Sequence, residues 1–169
     1  MKSPVAKRSD VHGANNGELL AHEKRGTIRG MVDVSLKPTS PLAMTGNRYP
    51  ITEVGVYNLT KRLIDVAESD RKYGECDVQI VPSKINGRVC TCMQVVHPIP
   101  RKNFLFNIAR VHVDDELNIP VRYEAYDWPT QPGGQPVLTE EYTYLNVKVN
   151  VGLTDDDFNP KNANYNFKK

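Results

Sequence analysis

No run of this chain approaches the roughly 18 consecutive apolar residues of a membrane helix, so a spanning segment is not expected. The N-terminus, MKSPVAKRSD, is basic but lacks the apolar stretch of about 7–15 residues that marks a secretory leader. No export address is therefore expected in these residues. No Ser or Cys stands in a nucleophile-elbow context, and His97 and His112, the histidines of the strand-rich region, have no such neighbour. Nucleophilic catalysis therefore has no support, and a non-enzymatic role is expected. Lysine and arginine form no clustered stripe, which argues against nucleic acid as a partner. Cysteine is scarce, at three residues, an odd number whatever pairs form.

What is there fits one globular domain. The 169 residues, 39% of them hydrophobic, give room for a single core. Residues 1–9 read as a disordered tail and 10–167 as one domain. Charge is uneven: residues 1–113 hold 17 Lys and Arg against 10 Asp and Glu, whereas residues 114–158 hold 2 against 10. Such a field could orient a partner protein.

Asn15-Asn16-Gly17 between two short apolar pieces predicts a small hairpin over 10–22, because Asn-Gly accepts the positive φ of a tight turn. Ile28, Gly30, Val32, Val34 and Leu36 alternate as in a half-buried strand, which Pro38 and Pro41 end. A helix is predicted over about 52–70, capped by Thr52, with Val56, Leu59, Leu63 and Val66 on one stripe and Arg71, Lys72 and Gly74 closing it. After Gly74 the period changes to two. CDVQIV, RVCTCMQVVH, FLFNIARVHV, IPVRYEAYD and VLTEEYTYLNVKVNV read as five strands with short connections, hence an antiparallel meander. The last, at 137–151, would span about 50 Å at about 3.3 Å per residue, so it is expected to bend. The fold class is thus α+β, mainly β, with a strongly curved antiparallel sheet and one main helix packed on it.

Several residues suit chemistry as well as structure. Cys76, Cys90 and Cys92 admit three readings: a disulfide of Cys76 with Cys90 or Cys92, buried free thiols, or a zinc set completed by His97. Asp114-Asp115-Glu116 could ligate calcium or act as acid and base, but its place between two strands favours turn chemistry. Thr154-Asp155-Asp156-Asp157-Phe158 reads as a capped single helical turn with Phe158 plugging the core. No metal or cofactor is assigned. Arg122 is expected to pair with Glu124, Glu140 or Glu141 as a weak exposed bridge. The aromatics Phe104, Phe106, Tyr123, Tyr126, Trp128, Tyr142 and Tyr144 either line an apolar cavity or fill the core, since both use the same residue types.

The order Val113-Asp114-Asp115-Glu116-Leu117-Asn118-Ile119-Pro120-Val121-Arg122, Tyr126-Asp127, Tyr142-Thr143-Tyr144 with Asn146, and Leu153-Thr154-Asp155 with Phe158 resembles the C-terminal half of LolA-like outer-membrane lipoprotein-sorting proteins. From about Gly17 to Phe167 the chain is similar to a bacterial family of unknown function related to them, through GNRYPIT at 46–52, YGEC at 73–76, INGRVCTC at 85–92 and DDELNIPVRYEAYDWP at 114–129. The resemblance implies an incomplete β-barrel whose concave face holds acyl chains, a periplasmic or cell-envelope location, and a lipid or lipoprotein partner. Phe104, Phe106, Tyr123, Trp128, Tyr142 and Tyr144 would then be the ligand-binding residues. Proteins of this kind carry a signal peptide, an N-terminal helix and further strands before the part matching residue 10, so an N-terminally truncated or reduced variant is expected.

Overall fold

A computed structural model describes residues 7–9, 14–24, 31–47 and 49–165. The chain divides into two compact units, residues 1–54 with 150–169, and residues 55–149.

The first unit holds a three-stranded antiparallel sheet of β1 (Lys7–Ser9), β2 (Leu19–Lys24) and β3 (Met31–Leu36) in that order. Lys7–Ser9 thus belong to a strand and not to a tail; residues 1–6 lie outside the described residues, as do 25–30 at the predicted start of β3. Asn15, Asn16 and Gly17 turn the chain with φ of 53°, 55° and 78°, the left-handed values their side chains tolerate. Asn15 Nδ2 ties this turn to Ser35 Oγ of β3 at 2.8 Å. Helix α1 (Pro41–Met44) starts on a Ser40 cap with proline in its first turn, where a missing N–H costs nothing. At the C-terminal end, Asp155–Phe158 form one 3-10 turn closed by a reciprocal box: Asp157 accepts from Thr154 N at 2.7 Å and Thr154 Oγ1 at 3.0 Å. The predicted cap is therefore present, but Phe158 is 44% exposed and plugs no core.

The second unit is helix α2 (Val56–Arg71) on a five-stranded antiparallel meander, β4 (Asp77–Ile85), β5 (Arg88–Val96), β6 (Ile108–Asp114), β7 (Ile119–Asp127) and β8 (Val137–Thr143), in chain order. The mainly β, antiparallel class with one main helix holds. The sheet is open, with β4 and β8 as its edges. Helix α2 begins later than predicted: Thr52 lies in a preceding 3-10 turn, and the N-cap is Gly55 at φ 130°, with no side-chain cap. Glycine suits that backbone because a Cβ would be strained there. Leu59, Leu63 and Val66 meet a core of Phe106, Ala109, Val111, Tyr123 and Ala125. Each helix residue is half-buried and contributes on the order of 1 kcal/mol, below the roughly 1.5–3 kcal/mol of full burial.

Register fixes the rest. Asn86 and Gly87, at φ 47° and 83°, make the two-residue turn that closes Ile85 on Arg88. Between β6 and β7 the pairing slips, His112 facing Arg122 but Val113 facing Pro120. Pro120 has no N–H for a regular ladder, and the slip leaves Val121 as the extra residue. A second slip between Ala125 and Tyr126 leaves Thr139 of β8 over, its hydroxyl donating to Ala125 O at 3.1 Å.

Two predicted strands are shorter than expected. Phe104 and Phe106 precede β6 as buried loop residues, because Asn107 interrupts by bonding backward to His97 and forward to Tyr126 O. The long last strand stops at Thr143, and Asn146 and Asn150, both at φ 54°, carry the chain out of extended geometry.

Candidate functional site

Alternation along the strands gives the five-stranded sheet two unlike faces. Val95, Ala109, Val111, Val113, Tyr123 and Ala125 point to the α2 side. On that same side, towards the β4 edge, Val78 (54% exposed), Ile80 (69%), Val89 (64%) and Met93 (38%) form an uncovered aliphatic stripe.

The opposite face is polar and closely bonded. Glu124, buried, accepts from Arg122 Nε at 2.6 Å and from the Tyr126 hydroxyl at 3.0 Å, with Arg110 Nη1 at 3.5 Å. Arg122 also reaches Thr143 Oγ1 at 2.9 Å and Glu141 at 3.1 Å, while Arg110 Nε donates to Gln94 at 2.7 Å. Burial works to raise the Glu124 pKa, but bonds from Arg122 and Tyr126 outweigh it and hold the carboxyl below its ordinary value. The predicted Arg122 pairing is found with Glu124 and Glu141, and it is more than a weak surface bridge because Glu124 is withdrawn from water.

Further along this face Cys92 and His112 are cross-strand partners, with Sγ 3.8 Å from Nε2. Ser83 Oγ lies 3.0 Å from Nδ1 on the other side of the ring. Burial raises the Cys92 thiol pKa and lowers that of His112, so the pair rests as thiol and neutral imidazole, not as an activated thiolate.

The acidic turn is structural. Asp114, with its side chain fully buried, accepts from Arg88 through both oxygens and from the backbone N–H of Glu116 (3.0 Å) and Leu117 (2.9 Å). These donors, Arg88 first, hold its carboxyl well below the usual range. Asp115 takes the Thr91 hydroxyl at 2.9 Å and Glu116 the Arg88 guanidinium at 2.9 Å. This is the turn chemistry expected of the segment.

His97 sits, fully buried, at the far end of β5. Its ring stacks on Phe104 at 4.0 Å and tilts against Phe106 at 4.8 Å. Nδ1 lies 3.0 Å from Phe106 O, and Nε2 is 3.2 Å from Asp70 of α2 without aligned hydrogen-bond geometry. Burial raises the Asp70 pKa. The pair fastens the end of α2 to the sheet.

Of the predicted ligand-binding aromatics, Phe104, Phe106 and Tyr123 are buried and serve packing. Trp128 is half-buried, its Nε1 donating to His97 O at 3.1 Å. Tyr142, 39% exposed, stacks on Tyr123 at 6.5 Å, and Tyr144 is half-buried with its N–H on Val121 O. They do not form one wall. Two groups arise instead, around His97 and around Tyr123.

The disulfide of Cys76 with Cys90 or Cys92 does not form; all three thiols are free. Cys90 faces Ser83 and Cys92 faces Val81. Cys76 is thus seven and five residues along the strand from those partners, about 23 and about 16 Å at about 3.3 Å per residue. A disulfide needs Cα atoms within about 7 Å. The same spacing separates His97 from Cys90 and dissolves the zinc set. Among the described residues no group of three or more His, Cys, Asp or Glu side chains gathers as a metal site, and no helix is long and apolar enough to cross a membrane.

An open antiparallel sheet with a helix on one face and a bonded polar network on the other defines the class of this protein. The chain belongs to the family described as a protein of unknown function (DUF1571), whose profile matches residues 11–167. Comparison with curated proteins and with solved structures gives no match.

Proposed function

We propose that the protein is a non-enzymatic, LolA-like binding protein of the cell envelope that holds an acyl chain, a lipoprotein or another apolar ligand against the α2 side of the five-stranded sheet. The observation that carries this reading is the stripe of Val78, Ile80, Val89 and Met93, exposed beside the covered core. With most of the expected aromatics committed to packing, the contact surface passes to these aliphatics. Covering about ten methylenes is worth about 8 kcal/mol at about 0.8 kcal/mol per CH₂. Ordering and association costs of at least about 4 kcal/mol reduce that to about millimolar affinity or weaker.

The test is titration of the delipidated protein with a fluorescent fatty acid, alongside mass spectrometry of lipids that co-purify. Weak, saturable binding that Ile80→Glu removes is the expected result. No binding and no co-purifying lipid would end the proposal. A second reading, a protein-interaction module with a filled interior, draws on the burial of Phe104, Phe106 and Tyr123 and on the unpaired edge of β4. It predicts a protein partner and indifference to lipid.

A further inference from the structure

Cys92 of β5 and His112 of β6 face each other on the polar side of the sheet, at 4% and 9% exposure. Ser83 of β4 completes the row: its oxygen is 3.3 Å from Cys90 O and 3.0 Å from His112 Nδ1. With the hydroxyl donating to Cys90 O, its oxygen accepts from Nδ1–H, and the lone pair of Nε2 is left facing the sulfur. Metal-binding histidines have this arrangement, one nitrogen towards the metal and the other fixed by a second partner. Three neighbouring strands therefore orient two soft donors and support one of them.

We propose that Cys92 and His112 form a low-coordinate site for a soft monovalent metal ion, copper(I). Thiolate and imidazole are donors that this ion takes readily. Charge decides the valence: a thiolate with a monovalent ion is neutral, whereas a divalent ion would leave a net positive charge buried between the strands. Coordination number points the same way. Zinc takes four ligands and calcium six or more, while no third donor of the His, Cys, Asp or Glu kind gathers here among the described residues. At metal–sulfur and metal–nitrogen lengths of about 2.3 and about 2.0 Å, the observed separation of 3.8 Å corresponds to an angle near ~120° at the ion. The ion thus bridges the two atoms at close to their present separation. On binding, the Cys92 S–H proton passes to solvent as the sulfur–copper bond forms; the ion remains copper(I) and no electron moves.

This site does not depend on the lipid-binding reading, because it uses the opposite face of the sheet. The experiment is an anaerobic titration of the reduced protein with copper(I) against a chromogenic chelator. One equivalent is expected to bind. Cys92→Ser and His112→Gln should each lower affinity about 100-fold, Ser83→Ala about 10-fold, and Cys76→Ser not at all. X-ray absorption of the copper-loaded wild-type chain should show one sulfur and one nitrogen in the first shell, a readout that stands even where a variant misfolds. Uptake below one equivalent by the wild type, unchanged affinity in a folded Cys92→Ser, or a shell of two sulfurs without nitrogen would each overturn the assignment.

Discussion

The hairpins β4–β5 and β6–β7 belong to one sheet and differ in nearly everything except hydrogen-bonding pattern. The outer hairpin pairs nine residues without a slip and turns on Asn86-Gly87, yet most side chains of β4 are exposed. The inner one is interrupted by a slip at Pro120, turns through Asp115–Asn118, and buries five of the nine residues of β7. Regular pairing is therefore not what makes a strand part of the core. Position does: β7 has a neighbour on both sides and α2 above it, whereas β4 has one neighbour. The turns differ in kind as well. The outer relies on backbone conformation and the inner on a buried carboxylate.

The comparison can be broken most forcefully at Tyr123. Tyr123→Ala should cost about 3–5 kcal/mol in chemical denaturation, as for other aromatic truncations in cores; a loss near that of an edge residue would mean that the inner hairpin is not the core. Asp114→Asn comes next. Because the folded pKa of Asp114 is depressed, its contribution is fully present above the unfolded carboxylate value of about 3.9 and is lost as pH falls from there towards the lower folded value. The variant should be less stable at neutral pH and show a flatter stability curve below about pH 4, measured by thermal melts across that range. Gly87→Ala tests the outer turn. Nothing lies within 4 Å of the added Cβ, so the cost is the left-handed backbone alone, about 1 kcal/mol. Ile80→Ser, at 69% exposure, should move the denaturation midpoint least, by under about 0.5 kcal/mol. A larger loss would show that something covers the β4 edge.

Much of this architecture was legible because local chemistry agreed with the final structure. The two-residue period, Asn-Gly at 86–87, the helical stripe of Leu59, Leu63 and Val66, and the acidic residues after β6 each carry their reason in neighbouring residues. Where the reading failed, the reason lay elsewhere in the fold. Thr52 is a good cap, but the chain makes a separate 3-10 turn there and begins the helix at Gly55. Residues 137–151 alternate well, yet Asn146 and Asn150 adopt left-handed conformations that the pattern does not announce. The Cys92–His112 pair was invisible for a related reason. Its register depends on how eleven residues, 97–107, connect β5 to β6, and no spacing rule covers a connection of that length. Cys76 lies far from both thiols because the register of β4 on β5 is counted from the Asn86-Gly87 turn, which strand adjacency alone does not reveal.

The chain has a single tryptophan, and that residue is tied by its ring nitrogen to the carbonyl of His97, which Asn107 also grips. Its fluorescence therefore reports on one joint only, the place where the connection between β5 and β6 meets the end of β7. An optical signal that reddens before the far-ultraviolet dichroism falls would show this joint opening while the sheet is still intact.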